Sequence, residues 1–157
     1  MEIITLGQVI VAVVAIYGAV ISTITFFSRR NEKQRQLKVR FSNGFTIFGQ
    51  NFSELMLIIE VSNPGFRDVT INVPSLILPD RKPVVFPNPQ SNVRFPYKLE
   101  EGTKCMVWTE MKDLAQNLKE NGYTGILKID AEVDDGAGRR YKSRKSWKLN
   151  IDKWSSR

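Results

Sequence analysis

From Ile3 to Phe27 the chain carries 25 consecutive residues with no charge and no proline; beyond Arg40, short apolar runs alternate with polar positions. The first pattern predicts a membrane-spanning helix. At 1.5 Å per residue it would run about 37 Å, enough to cross a ~30 Å hydrocarbon core with some tilt. A core helix of a soluble protein would show a polar stripe, and this stretch has none.

The second pattern predicts a mainly β domain. Phe45–Gly49 alternates and would open it, and Leu55–Ser62 is nearly continuous apolar, as in a central strand. Asn63-Pro64-Gly65 is a turn, and Val69, Ile71 and Val73 alternate with polar neighbours. Leu76–Leu78, Val84–Phe86, Val93–Leu99 and Lys104–Thr109 read as further strands. Pro96 marks the Phe95–Tyr97 region as an edge, open to strand addition. One helix interrupts the strands. Met111, Leu114, Ala115 and Leu118 share a face, Thr109 is the expected N-cap, and Asn121-Gly122 is the stop. The division expected is an anchor over 1–28, a basic stem over 29–43, a β-sandwich over 44–154 and a tail over 155–157.

The last hairpin can be read to the residue. Leu127, Ile129, Ala131 and Val133 alternate with Lys128, Asp130, Glu132 and Asp134, and beyond the loop at 134–138 Tyr141, Trp147 and Leu149 keep the apolar parity. Pairing must match faces. The expected register sets Leu127 opposite Trp147, and Asp134, Glu132 and Asp130 opposite Arg140, Lys142 and Arg144, a ladder of opposite charges. Lys145 would then point inward, so a bulge or an edge position is expected there.

Charge adds orientation. The stem holds Arg29, Arg30, Lys33, Arg35, Lys38 and Arg40 against Glu32, whereas Glu2 is the one ionisable side chain before the span. The positive-inside rule puts the domain in the cytoplasm, on an uncleaved anchor of the inner membrane with its N-terminus outside. Each stem cation near anionic headgroups would contribute about 1 kcal/mol of membrane attraction. A second set, Arg140, Lys142, Arg144 and Lys148, offers anionic-surface contact. Nucleic acid is disfavoured as a partner, because acids face three of these cations and the remaining chain is net acidic. Within the span, Ala15, Gly18, Ala19 and Ser22 share a face that permits close helix contact, hence a homo-oligomer.

Candidate chemistry is sparse. There is no histidine and one cysteine, Cys105, placed in an apolar strand, so neither a disulfide nor the commonest general base is available. The aspartates and glycines of 134–138 lack the ligand spacing of a cation loop. No catalytic, cofactor-binding or metal-ligating residues are expected, and the chain reads as a non-enzyme.

The span, the basic stem, the Asn-Pro-Gly turn, LEEGTKCMVW, the NGYTGILKIDAEVDDGAGRRYKSR hairpin and the closing LNIDKW together resemble uncharacterised small bacterial single-span membrane proteins with a C-terminal immunoglobulin-like domain. The resemblance implies a sandwich of about seven or eight strands with one short inserted helix, although the Cys…Trp…Cys signature is missing. It brings no site residues. The function expected is a membrane-anchored adaptor or scaffold module that binds an unidentified protein partner at the bilayer surface. The alternative is a structural assembly subunit, filament- or surface-layer-linked, with the domain on the outer side.

Overall fold

The computed structural model describes residues 6–32, 36–45, 47–48, 51–86 and 90–156. The chain forms two compact units, one up to Gln34 and one from Arg35. The first is α1 (Leu6–Glu32). Its stretch Gly7–Ser28 is long and apolar enough to cross a membrane, and none of that stretch is buried. The hydroxyls of Thr23 and Thr25 donate to the carbonyls of Ala19 and Ile21, each at 2.8 Å, which satisfies both inside the helix.

The second unit is mainly β. It begins with β1 (Lys38–Gly44), β2 (Ile47–Phe48), β3 (Asn51–Phe52), β4 (Met56–Ser62), β5 (Val69–Ile71), β6 (Ser75–Ile77) and β7 (Pro83–Val84). There follow β8 (Gln90–Ser91), β9 (Tyr97–Leu99), β10 (Lys104–Glu110), α2 (Met111–Glu120), β11 (Ile126–Asp134), β12 (Arg140–Lys142), β13 (Trp147–Asn150) and α3 (Ile151–Ser155). One antiparallel sheet has the order β1-β4-β10-β8. A second runs β12-β11-β6-β7, with β13 also on β11. The apolar run Met56–Ser62 is the central strand it was expected to be, paired on both sides. Buried side chains of the two sheets, among them Val39, Leu57, Ile59, Leu76, Ile129, Ala131 and Leu149, meet in one core. Truncating one of these, as in Ile129→Ala, should cost about 2–5 kcal/mol.

The helix α2 buries the expected face, Met111, Leu114, Ala115 and Leu118. Its stop is also as read. Gly122 takes φ 86°, its N–H donates to Lys119 O (2.9 Å), and Tyr123 N–H donates to Leu118 O (3.0 Å), which closes the last turn. The N-cap is one residue later than expected. Thr109 is still in β10, and Glu110 holds the cap position with no side-chain cap bond.

Two further expectations change. The stem expected over 29–43 is shorter, because α1 continues to Glu32 and β1 starts at Lys38. The alternation of Lys38, Val39, Arg40 and Phe41 overrides the basic character of the segment, since burying Val39 gains more than solvating the strand. Consequently Phe45–Gly49 does not open the domain. Its described part enters a small β2–β3 hairpin, while Thr46 and Gly49 lie outside the described residues. Beyond β13 the chain turns into α3. The side chain of Asn150 accepts the N–H of Lys153 (3.0 Å) and caps it. Trp154 folds back against the core.

Candidate functional site

The hairpin of β11 with β12 and β13 holds its expected register for only half its length. Glu132 faces Lys142 and Asp134 faces Arg140, as predicted. Below them the register shifts by two residues: Leu127 faces Leu149, and Trp147 faces Ile129. Arg144 therefore does not face Asp130, whose partner is Ile77 of β6 on the other side. The shift is made by a bulge at Ser143–Ser146. Ser143 is its fixed point. Its N–H donates to Ala131 O (2.8 Å), its Oγ accepts the N–H of Ala131 (3.0 Å), and it bridges to Val39 of β1. The bulge spares Lys145 the inward position the regular register would force on it, and leaves it exposed.

Displacing 144–146 opens a cleft of about 450 Å³ between the bulge and the edge of β1. Val39, Phe41 and Trp147 give it an apolar lining, with the Phe41 and Trp147 ring centroids 6.1 Å apart. Lys38, Arg40, Arg144 and Lys145 supply its charge. No carboxylate lines it, and among the described residues none of the four cations is in an ion pair. Glu60 stands across the strand pair from Arg40 but is bound to Lys104 at 3.0 Å.

The two predicted basic sets are thus redistributed. Lys38 and Arg40 of the stem set join Arg144 of the hairpin set, with Lys145 added. Arg29 and Arg30 lie in α1, and Lys33 and Arg35 are outside the described residues. Arg140 and Lys142 belong elsewhere. Arg140 reaches Glu132 and Asp134, both at 3.6 Å, and Lys142 reaches Glu132 at 3.3 Å. Lys148 faces Lys128 across the strands. Ala15, Gly18, Ala19 and Ser22 all lie on the exposed α1.

Other polar groups have structural partners. The Asp135 carboxylate, although buried, accepts the N–H groups of Ala137 (2.9 Å) and Arg139 (2.8 Å) and so shapes its own turn. No cluster suited to a metal exists among the described residues. Asn63 is buried in the Asn-Pro-Gly turn. Its Nδ2 donates to Arg67 O (2.7 Å) and Leu99 O (3.1 Å), and its Oδ1 accepts from Gly65 N (3.0 Å). Burial pushes the Cys105 thiol up to about 11, which leaves it protonated and unreactive at neutral pH. On the surface, Tyr123 donates to Asp80 (2.8 Å) and Lys82 pairs with it (3.0 Å); the Tyr123 bond and then Lys82 hold the Asp80 carboxyl below its ordinary range.

A second exposed feature follows β1. Phe45, Ile47 and Phe52 are 59%, 64% and 72% exposed, with the Phe45 and Phe52 rings edge to face at 6.5 Å. The edge expected around Phe95–Tyr97 is present but short: among the described residues β9 pairs with β5 alone, it is three residues long, and both aromatics pack on the core. No protein-family model matches this chain, and no curated protein matches it.

Proposed function

We propose that this chain is a single-pass inner-membrane protein whose immunoglobulin-like β domain stands in the cytoplasm as a non-enzymatic protein-interaction module. The observation that carries the reading is the apolar cluster of Phe45, Ile47 and Phe52. Single exposed apolar residues are ordinary, but three large ones together, Phe45 against Phe52 and Ile47 opposite Phe52 in the hairpin, form a surface that binding would cover. Aromatic side chains of this kind are the usual energetic centres of protein interfaces. The hairpin also lies at the Gly44 end of β1, about 20 Å of strand beyond Lys38, where the chain enters the domain. The anchor's contribution is to raise the local concentration of the module for a partner at the same membrane. The basic flank of the apolar helix supports this orientation.

The test is photo-crosslinking in cells from a benzoylphenylalanine at Ile47 of the full chain. A discrete adduct with a protein other than this one is expected, lost on Phe52→Ser. Adducts with lipid alone, or none, would contradict the reading. An adduct at twice the chain mass would replace it with self-assembly.

A further inference from the structure

The cleft between β1 and the bulge has the chemistry of an anion site with an apolar lining. Four cations and, among the described residues, no carboxylate line it, and Phe41 and Trp147 give it an apolar wall. We infer that it binds the phosphate-bearing headgroup of an anionic phospholipid in the bilayer that holds α1, and so docks the domain on its own membrane. This rests on the membrane-anchored reading above.

Two observations select that occupant. The first is charge. Arg140 and Lys142 are spoken for by Glu132, and Lys82, Lys98 and Lys104 by Asp80, Asp68 and Glu60, whereas among the described residues the cleft's cations are in no ion pair. A guanidinium and an ammonium side by side suit a phosphate: the first binds in a fork, the second as a point charge. The second is the mixed lining. A soluble phosphate needs no apolar wall, but a lipid headgroup brings its glycerol and first acyl carbons, and tryptophan is at home at that depth. The cleft's volume is in the range of about 300–1,000 Å³ usual for small-ligand sites.

The test uses the full chain in lipid nanodiscs, where both faces are accessible. Ser146→Cys places a thiol in the cleft wall, and the native Cys105 is buried and silent. Its rate of modification by a water-soluble maleimide is compared in discs of phosphatidylcholine alone and in discs with about one-third phosphatidylglycerol. Each cation engaged is worth about a fivefold change in association, so slowing of at least about fivefold is expected in the anionic discs. A Ser156→Cys control should keep one rate in both. Arg144→Glu with Lys145→Glu, both at exposed positions, should abolish the slowing, and Arg144→Lys with Lys145→Arg should retain it. Equal rates for Ser146→Cys in the two discs would overturn the proposal. So would slowing in phosphatidylcholine discs on adding inorganic phosphate or polyglutamate, which would assign the cleft to a free anion or to an acidic protein. Retention of the chain in the disc fraction reports the anchor separately, so that reading can fail without the cleft being at fault, and the reverse.

Discussion

Two neighbouring parts of one β-strand path carry the same residue types to opposite ends. In β12, Arg140 and Lys142 lie across from Asp134 and Glu132 and are held by them. Two residues further on, Arg144 and Lys145 are lifted off the ladder by the bulge and line the cleft together with the cations of β1. What separates the two pairs is register, which decides whether a cation meets a carboxylate or a cleft. A count of basic residues along 139–148 treats the two alike and gives a single surface where there are two environments.

The comparison is broken most severely by removing the bulge. Deleting Arg144 and Lys145 takes out the two residues by which the register shifts, so a regular hairpin should form and the cleft should vanish. Association with anionic vesicles should fall about 25-fold in a sedimentation assay, two charges at roughly fivefold each. Urea stability should change by less than about 1 kcal/mol.

Glu132→Gln sharpens the contrast from the other side. It releases Lys142 and leaves Arg140 to Asp134 alone, so β12 should come part-way to resembling the bulge. Vesicle association should rise about fivefold, and stability should drop by about 1 kcal/mol in urea. Asp130→Asn should add nothing to either figure beyond about 0.5 kcal/mol, because Asp130 faces β6 and not Arg144. A further rise in vesicle association on adding Asp130→Asn would contradict the observed register.

The smallest effect is on pH dependence, at Cys105 in β10. Burial raises the thiol from 9.0 to about 11, so between those values the folded chain binds more protons than the unfolded one. The contribution of this thiol is therefore full below pH 9 and is lost as pH rises toward 11. Cys105→Ala should flatten the alkaline fall of stability in a urea series across that window. In the native protein the thiol should resist alkylation at pH 8 until the domain unfolds.

Much of the fold was legible because parity and period are strong where one face is buried. The central strand Met56–Ser62, the buried face of α2, its glycine stop and the upper half of the last hairpin all follow from spacing. The errors have physical causes. Lys38–Phe41 alternates as a strand should, but its cations were credited to the stem; Val39 and Phe41 were the signal against that. Asn150 is an N-cap that the strand-like LNIDKW concealed, since a five-residue helix is too short to show a period. The cleft was half visible. An inward-pointing Lys145 marked a local rule that could not hold, and a bulge was the expected remedy. The sequence did not reveal that the bulge would face β1, because that meeting is made by tertiary packing of Ser143 against Val39.

The claim on which the rest depends is that the β domain stands on the cytoplasmic side of a single anchor. Ser156 is exposed and close to the end of the described chain, so Ser156→Cys gives a reporter beside the silent Cys105. A membrane-impermeant maleimide should fail to label it in intact cells and should label it after permeabilisation. Labelling in intact cells would place the domain outside, contradict the orientation and leave surface assembly as the reading to pursue.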